Sequence, residues 1–196
     1  TILGALDTAL SDDILEYDAG RLNDLYFNYT AAFGAFSKIS YATDQRLKNV
    51  LGYGAYVLNA AANLHENLGF KQEVSVICDG YHEDGEHVFG AVCNSVSIGG
   101  MNLLSNADVR LDDGRMELLL VRAPKNIADL SVIAGALLRG DISNPHIVFR
   151  QVENAEFISK EKLDWTIDGE SGGGYDHARI SVIGKAIKIK KGKVSR

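Results

Sequence analysis

Polar and apolar residues alternate in short runs along most of this chain, a period of two that predicts strands. Residues 14–22 and 25–30 are two such runs. Asn23-Asp24 between them suits a tight hairpin turn. Residues 73–79 alternate again, the polar stretch 82–86 reads as a turn, and 87–94 returns as the partner strand. Further strands are predicted at 116–122, 146–149, 155–159, 163–167, 178–183 and 186–189. Three stretches have helical character instead. Residues 4–10 make a short helix. Over 44–68, Tyr53, Tyr56, Val57, Ala60, Leu64 and Leu68 recur at the spacing of one apolar helix face, and Gly69 closes it. Residues 128–138 form a third helix, closed by Gly140.

Nine or ten short strands with two or three helices predict a mainly β protein, an antiparallel sandwich or barrel with helical insertions. With two prolines and no repeat, linker or low-complexity stretch, residues 1–196 read as one domain. The 46% hydrophobic and 23% charged shares are those of a soluble globular protein. A net charge of −6 argues against nucleic acid as the main partner, because phosphate backbones bind basic surfaces. No apolar run approaches the roughly 18 residues that span a bilayer, and no signal peptide is recognisable. Cys78 and Cys93 lie in strand-like runs and are read as reduced core residues of a cytoplasmic protein. The chain opens at Thr1, and Thr1 to Leu6 reads as the continuation of something already under way, so a longer parent protein is expected.

Two acidic blocks built round a glycine stand out, Asp112-Asp113-Gly114 and Asp168-Gly169-Glu170. Acid pairs of this kind serve ordinary hairpin turns, and they also serve Mg²⁺-dependent phosphoryl transfer. Their bland reading is weakened by what surrounds them. His82, Glu83, Asp84, Glu86 and His87 are read as a solvated hairpin tip, too short a loop to wrap a cation. His65, His146 and His177 have no neighbouring nucleophile pattern and suggest no triad. Asn28 and Asn94 are expected to tie strand ends to loops.

Four blocks in order carry a resemblance. The first is Tyr26-Phe27-Asn28 followed by Gly34, with Ala35-Phe36 in place of an aromatic-Asp pair. The second is Arg46-Leu47-Lys48-Asn49-Val50-Leu51-Gly52 leading to Ala55-Tyr56. The third is Asn94, then Gly99-Gly100-Met101, then Ala107 to Gly114. The fourth is Ile167-Asp168-Gly169-Glu170. Together they resemble the C-terminal domain of the bacterial diacylglycerol kinase and sphingosine kinase-like lipid kinases, across nearly the whole chain.

That resemblance implies a β-sandwich-like lipid-substrate domain of a two-domain kinase. The N-terminal nucleotide-binding domain, with its Gly-Gly-Asp-Gly-Thr motif, is absent here, so this chain alone is expected to be inactive. It implies ATP as phosphoryl donor, Mg²⁺, and a lipid alcohol acceptor held in an apolar pocket. Glu170 would be the general base and Asp168 part of the nucleotide metal and water network. Asp113 would hold a structural Mg²⁺ together with the main-chain carbonyls of Arg110 and Arg115, where the family usually has Leu at the last position. Lys48 would orient the acidic network. Two other classes stay open, a related kinase with a soluble acceptor, as in NAD kinases, and a non-catalytic lipid-binding domain. Lys185, Lys188, Lys190, Lys191, Lys193 and Arg196 make the C-terminus basic, consistent with transient peripheral contact with an anionic membrane. Strand edges left open by removal of the first domain allow a homodimer.

Overall fold

The computed structural model describes residues 2–34, 71–98, 103, 104 and 107–192. The chain enters through α1 (Ile2–Leu10) and continues as β1 (Ile14–Leu22), β2 (Leu25–Phe27), β3 (Thr30–Gly34), β4 (Gln72–Cys78), β5 (Tyr81–Cys93) and β6 (Met116–Arg122). Helix α2 (Ile127–Arg139) precedes β7 (Ile147–Val152), β8 (Asn154–Ile167) and β9 (Glu170–Lys190). All strand pairs are antiparallel, in the order β2-β1-β9-β8-β3-β5-β6-β7, with β4 also pairing β5 and β8. The expected class, mainly β with few helices, is the one observed.

β3 and β4 share one lane. Gly34 lies opposite Phe89 and Gln72 opposite His87 on β5, while Phe33 faces Trp165 and Val74 faces Ser159 on β8. They are therefore two segments of one strand line, interrupted by residues 35–71. The predicted helix at 44–68 falls in that interval, outside the described residues, as do Lys48 and His65.

One face of the sheet encloses the main core. Leu22 and Phe27 at one end of the strand order cluster with Met116, Leu118, Leu120, Val148 and Val152 at the other, so the sheet curls round a single interior in the manner of a sandwich. Phe33, Phe157 and Trp165 meet edge-on at its centre, with centroids 5.0–5.8 Å apart. The opposite face of β5 and β6 is also covered. Phe89, Ala91, Leu119 and Val121 pack against Leu130, Ile133, Ala136 and Leu137 of α2. Burial on both faces explains why 116–122 reads as a continuous apolar run rather than an alternating one. Helix α2 is capped by Asn126, whose side chain accepts from the Asp129 amide, and it ends at Gly140 in the left-handed region.

Several boundaries differ from the sequence reading. The β4–β5 hairpin turns at Asp79-Gly80, with φ of 42° and 82°, and not at 82–86. Two positive φ values make the primed turn that matches strand twist, and Asp-Gly supplies it readily. The polar residues 82–86 are instead paired with β4. The runs 155–159 and 163–167 are one bulged strand, β8, and 178–183 and 186–189 belong to β9.

His87 on β5 is fully buried, and neither ring nitrogen has a hydrogen-bond partner. Burial pushes its pKa below 6.5, against the charge of Glu83, whose Oε1 lies 3.9 Å from Nε2, and against the nearby Gly85 backbone, which approaches the ring without completing a hydrogen bond; the Arg122 charge works with burial. The unfolded chain therefore takes up a proton first as pH falls through 6.5, and the folded state loses stability there. His87→Leu is expected to leave stability at pH 8 unchanged or raise it by about 1 kcal/mol. The same variant should show a flatter stability profile between pH 7 and 5. Chemical denaturation across that range checks both, and an unchanged acid slope would contradict the assignment.

Candidate active site

The Asp168-Gly169-Glu170 block forms the β8–β9 hairpin. Asp168 and Gly169 are its two turn residues, with φ of 49° and 90°, and Glu170 is the first residue of β9, paired with Ile167. Two positive φ values again require the Asp-Gly pair. The Asp168 side chain folds back onto the break between β2 and β3. Its Oδ2 accepts from the Asn28 amide at 2.9 Å, and its Oδ1 accepts from Tyr29 and Thr30 at 3.0 and 2.9 Å. The Asp168 amide donates to the Thr30 carbonyl at 2.8 Å. Three of the four lone-pair positions of this carboxylate are thus committed to backbone, leaving one on Oδ2. Glu170 is exposed, and its side chain has no partner among the described residues. Just beyond it, Trp165 pairs Gly173 while Thr166 pairs Ser171, a bulge that leaves Gly172 unpaired beside the block.

The second block lies in the loop before β6. Asp113 is exposed, and its Oδ1 accepts from the Arg115 amide at 3.0 Å. The loop is fastened by Asp18, a residue the sequence reading did not single out. Asp18 is fully buried at a bulge in β1, and its two oxygens accept from the Gly114 and Lys185 amides, each at 2.7 Å. Its own amide donates to the Leu111 carbonyl at 2.7 Å. The signal was an acid followed by Ala19-Gly20 inside a predicted strand, a position that must be solvated or fully hydrogen-bonded.

Asn94 joins the two blocks. Its amide donates to the Tyr29 carbonyl at 3.1 Å, and Tyr29 in turn donates to Asp168. Its side-chain nitrogen donates to the carbonyls of Asp18 and Leu111, at 3.0 and 3.1 Å. A continuous run of hydrogen bonds therefore leads from the Glu170 turn through residues 28–30 and Asn94 to the loop of Asp113. Asn94 ties strand to loop with its side chain, as expected; Asn28 does so with its backbone amide.

Whether this loop suits Mg²⁺ depends on the oxygens it has to spare. Among the described residues no group of three or more His, Cys, Asp or Glu side chains is arranged to hold a metal ion. One carboxylate oxygen, main-chain carbonyls and water do not need such a group, and Mg²⁺ accepts that donor set. Asp113 Oδ2 is uncommitted, and two further acceptors near the loop, Asn94 Oδ1 and Glu117 Oε2, are buried without a partner. These spare oxygens are of the kind a hard cation takes. The Arg115 side chain reaches toward Glu153, at 3.8 Å, which draws its charge away.

Glu117, also missed from the sequence, is 1% exposed on β6. Burial pushes its carboxyl up to about 7; the hydrogen bond from Gln151 opposes this, and the charge of Asp113 adds to it. It was detectable as the one acid in the apolar run 116–121.

The remaining candidates are accounted for locally. Glu83 pairs with Arg122 at 2.7 Å, His82 with Asp84 at 3.0 Å, and Glu86 with Lys71 at 2.6 Å. His177 meets Glu156 at 3.2 Å. Cys78 and Cys93 are buried and free, and burial pushes both thiols up. Lys188 pairs with Glu16 at 2.6 Å and Lys190 donates to the Ser11 carbonyl, while Lys193 and Arg196 lie outside the described residues. Two clefts, of about 450 and 590 Å³, are lined mostly by charged and polar residues such as Arg122 and Lys125, and Arg21 and Arg179. No helix among the described residues is long and apolar enough to cross a membrane.

No family model matches the chain. Curated relatives do. It is 31% identical over 173 residues to the diacylglycerol kinase of Bacillus subtilis (strain 168), covering 88% of this chain and 56% of that protein. It is 29% identical, again over 173 residues, to the diacylglycerol kinase of Staphylococcus haemolyticus (strain JCSC1435), covering 88% and 51%. The chain thus spans about half the length of the curated relatives it matches. Among solved structures, a crystal structure of a diacylglycerol kinase from Bacillus anthracis str. Sterne aligns with a TM-score of 0.62 at 16% identity, over 95% of this chain and 57% of that one. A second crystal structure from the same organism aligns with a TM-score of 0.69 at 19% identity, over 95% and 59%. At those identities the structures speak for the fold alone, and they agree with it.

Proposed function

We propose that this chain is the C-terminal domain of a kinase of the bacterial diacylglycerol kinase family, as its curated relatives and its fold support, and that it presents a lipid alcohol to the γ-phosphoryl group of ATP, with Glu170 as general base. The observation that carries this reading is the contrast within one turn. Asp168 is committed to backbone, whereas Glu170 beside it is exposed and free.

The chemistry is a displacement at phosphorus. The lipid hydroxyl oxygen forms a bond to Pγ as the bond from Pγ to the ADP oxygen breaks, and the hydroxyl proton passes to the Glu170 carboxylate. When bound with the nucleotide, Mg²⁺ would supply charge neutralisation for the transferring phosphoryl group. Asp168 positions the turn, and the open lone-pair position on its Oδ2 would be available to a water or metal network there. Asp113, with the carbonyls of Arg110 and Arg115, would hold a structural Mg²⁺, and Lys48, outside the described residues, would orient the acids. ATP is held by the upstream domain, so the activity belongs to the full-length protein. Association with the membrane is transient and peripheral, in the cytoplasm, and assisted by Lys185 and Lys191.

A soluble phosphoryl acceptor is the second reading, favoured by the polar lining of the two described clefts. The test is transfer of labelled γ-phosphoryl from Mg-ATP by the full-length protein. The acceptors are diacylglycerol, a sphingoid base, phosphatidylglycerol and a polyprenol in mixed micelles, with NAD as a soluble comparison. Label in a lipid supports the proposal and identifies the acceptor. Label only in NAD would replace it with the second reading, and label in neither would leave a lipid-binding domain without catalysis.

A further inference from the structure

Gly172 is buried on β9, and Ile167 of β8 occupies the space beside it. A Cβ at position 172 would lie 2.9 Å from Ile167 Cγ1 and 3.1 Å from its Cδ1, with the Trp165 carbonyl oxygen 3.3 Å away, so only glycine leaves room for Ile167 as it stands. Ile167 packs against the main core, and its backbone is paired on both sides, to Ala31 of β3 and to Glu170 of β9. Direct partners in an antiparallel pair share a face, with Cβ atoms about 4.5–5.5 Å apart, so the Ile167 side chain stands beside that of Glu170. The bulge sets this pairing. Trp165 opposes Gly173, at a φ of 87°, and Thr166 opposes Ser171, so Gly172 is skipped. Without the skip Ile167 would oppose Ser171, and Glu170 would fall in the turn. With it, Asp168 and Gly169 alone make the turn and Glu170 is held in the strand.

We propose that Ile167, seated on Gly172, is the positioning contact for Glu170 and fixes the direction in which that carboxylate leaves the strand end. The inference rests on the reading of Glu170 as general base. Among the described residues Glu170 has no polar partner to hold it, so its aim comes from the register of the strand and from the side chain next to it. A general base works only within hydrogen-bond reach of the hydroxyl it deprotonates, and a displacement of about 1 Å can cost about 100-fold in rate. A side chain at 172 displaces Ile167, and with it the wall against which Glu170 stands. Neither Ile167 nor Gly172 touches the reacting atoms; both act through Glu170.

The test is steady-state turnover of the full-length protein with Mg-ATP and diacylglycerol in mixed micelles. Gly172→Ala and Ile167→Ala are each made alone and on Glu170→Gln, with melting curves to show that each protein is folded. Ile167→Ala removes the same contact from the other side and needs no extra room, so it reads the contact even where Gly172→Ala does not fold. Each variant alone should lower kcat by about 10- to 100-fold, with KM for both substrates within about 2-fold of wild type. On Glu170→Gln the same changes should lower kcat by less than about 2-fold, because the group they aim is already gone. A contact with a purely structural role would lower kcat equally in both backgrounds, and that result would overturn the proposal. Wild-type turnover by folded Gly172→Ala or Ile167→Ala, with Glu170→Gln slow, would also overturn it and leave the general base standing. No transfer by wild type, or transfer at the wild-type rate by Glu170→Gln, would overturn the reading of Glu170 and this inference with it.

Discussion

Asp168→Ala is expected to destabilise the fold by about 2–4 kcal/mol, from the loss of three hydrogen bonds to a charged acceptor. Partial exposure limits the figure, since water can replace some of what the carboxylate gives to Asn28 and Tyr29; the Thr30 amide is less accessible. Alanine is also poorly suited to the φ of 49° at this position, where Asp and Asn are tolerated. Asp168→Asn separates the two contributions. It suits the turn and keeps an acceptor for Tyr29 and Thr30, but it turns an NH₂ group toward the Asn28 amide. Its cost should be about 1 kcal/mol. Denaturant unfolding of the three proteins measures this, and equal stability of Asp168→Ala and wild type would remove the structural role assigned to this carboxylate.

Glu170→Gln is expected to act in the opposite way. The side chain is exposed and holds no described partner, so stability should change by less than about 0.5 kcal/mol. Phosphoryl transfer in the full-length protein should fall by about 100- to 10,000-fold, the range for loss of a positioned general base. The loss should appear in kcat with little change in KM, because the amide keeps the shape and polarity of the acid but cannot take the proton. Two residues apart in sequence, Asp168 and Glu170 thus divide the work. One failure should be read in unfolding and the other in turnover.

The fold class was legible because period-two alternation survives wherever one strand face is wet. The hairpin at Asn23-Asp24 and helix α2 with its Gly140 stop came directly from pattern and caps, although the run 25–30 is broken after Phe27 and Thr30 begins β3. The β4–β5 turn was misplaced because polar residues 82–86 look like a loop, although they sit on a strand whose outer face is solvated; the φ-positive pair Asp79-Gly80 was the better signal. Asp168 and Glu170 were legible as a block but not as separate roles, since only geometry shows which carboxylate the backbone consumes. Asp18 and Glu117 were passed over for one reason. An acid inside an apolar strand carries no motif, and its meaning comes from partners at long range, such as Gly114 and Lys185 for Asp18 and Gln151 for Glu117.

The most direct measurement is single-turnover transfer of labelled γ-phosphoryl from Mg-ATP to diacylglycerol by the full-length protein, wild type beside Glu170→Gln, with lipid binding followed in the same samples. The account predicts equal lipid binding and equal melting temperatures, with transfer by the variant slower by at least about 100-fold. Transfer at the wild-type rate by folded Glu170→Gln would contradict it, because the free carboxylate at the β8–β9 turn would then have no part in the chemistry.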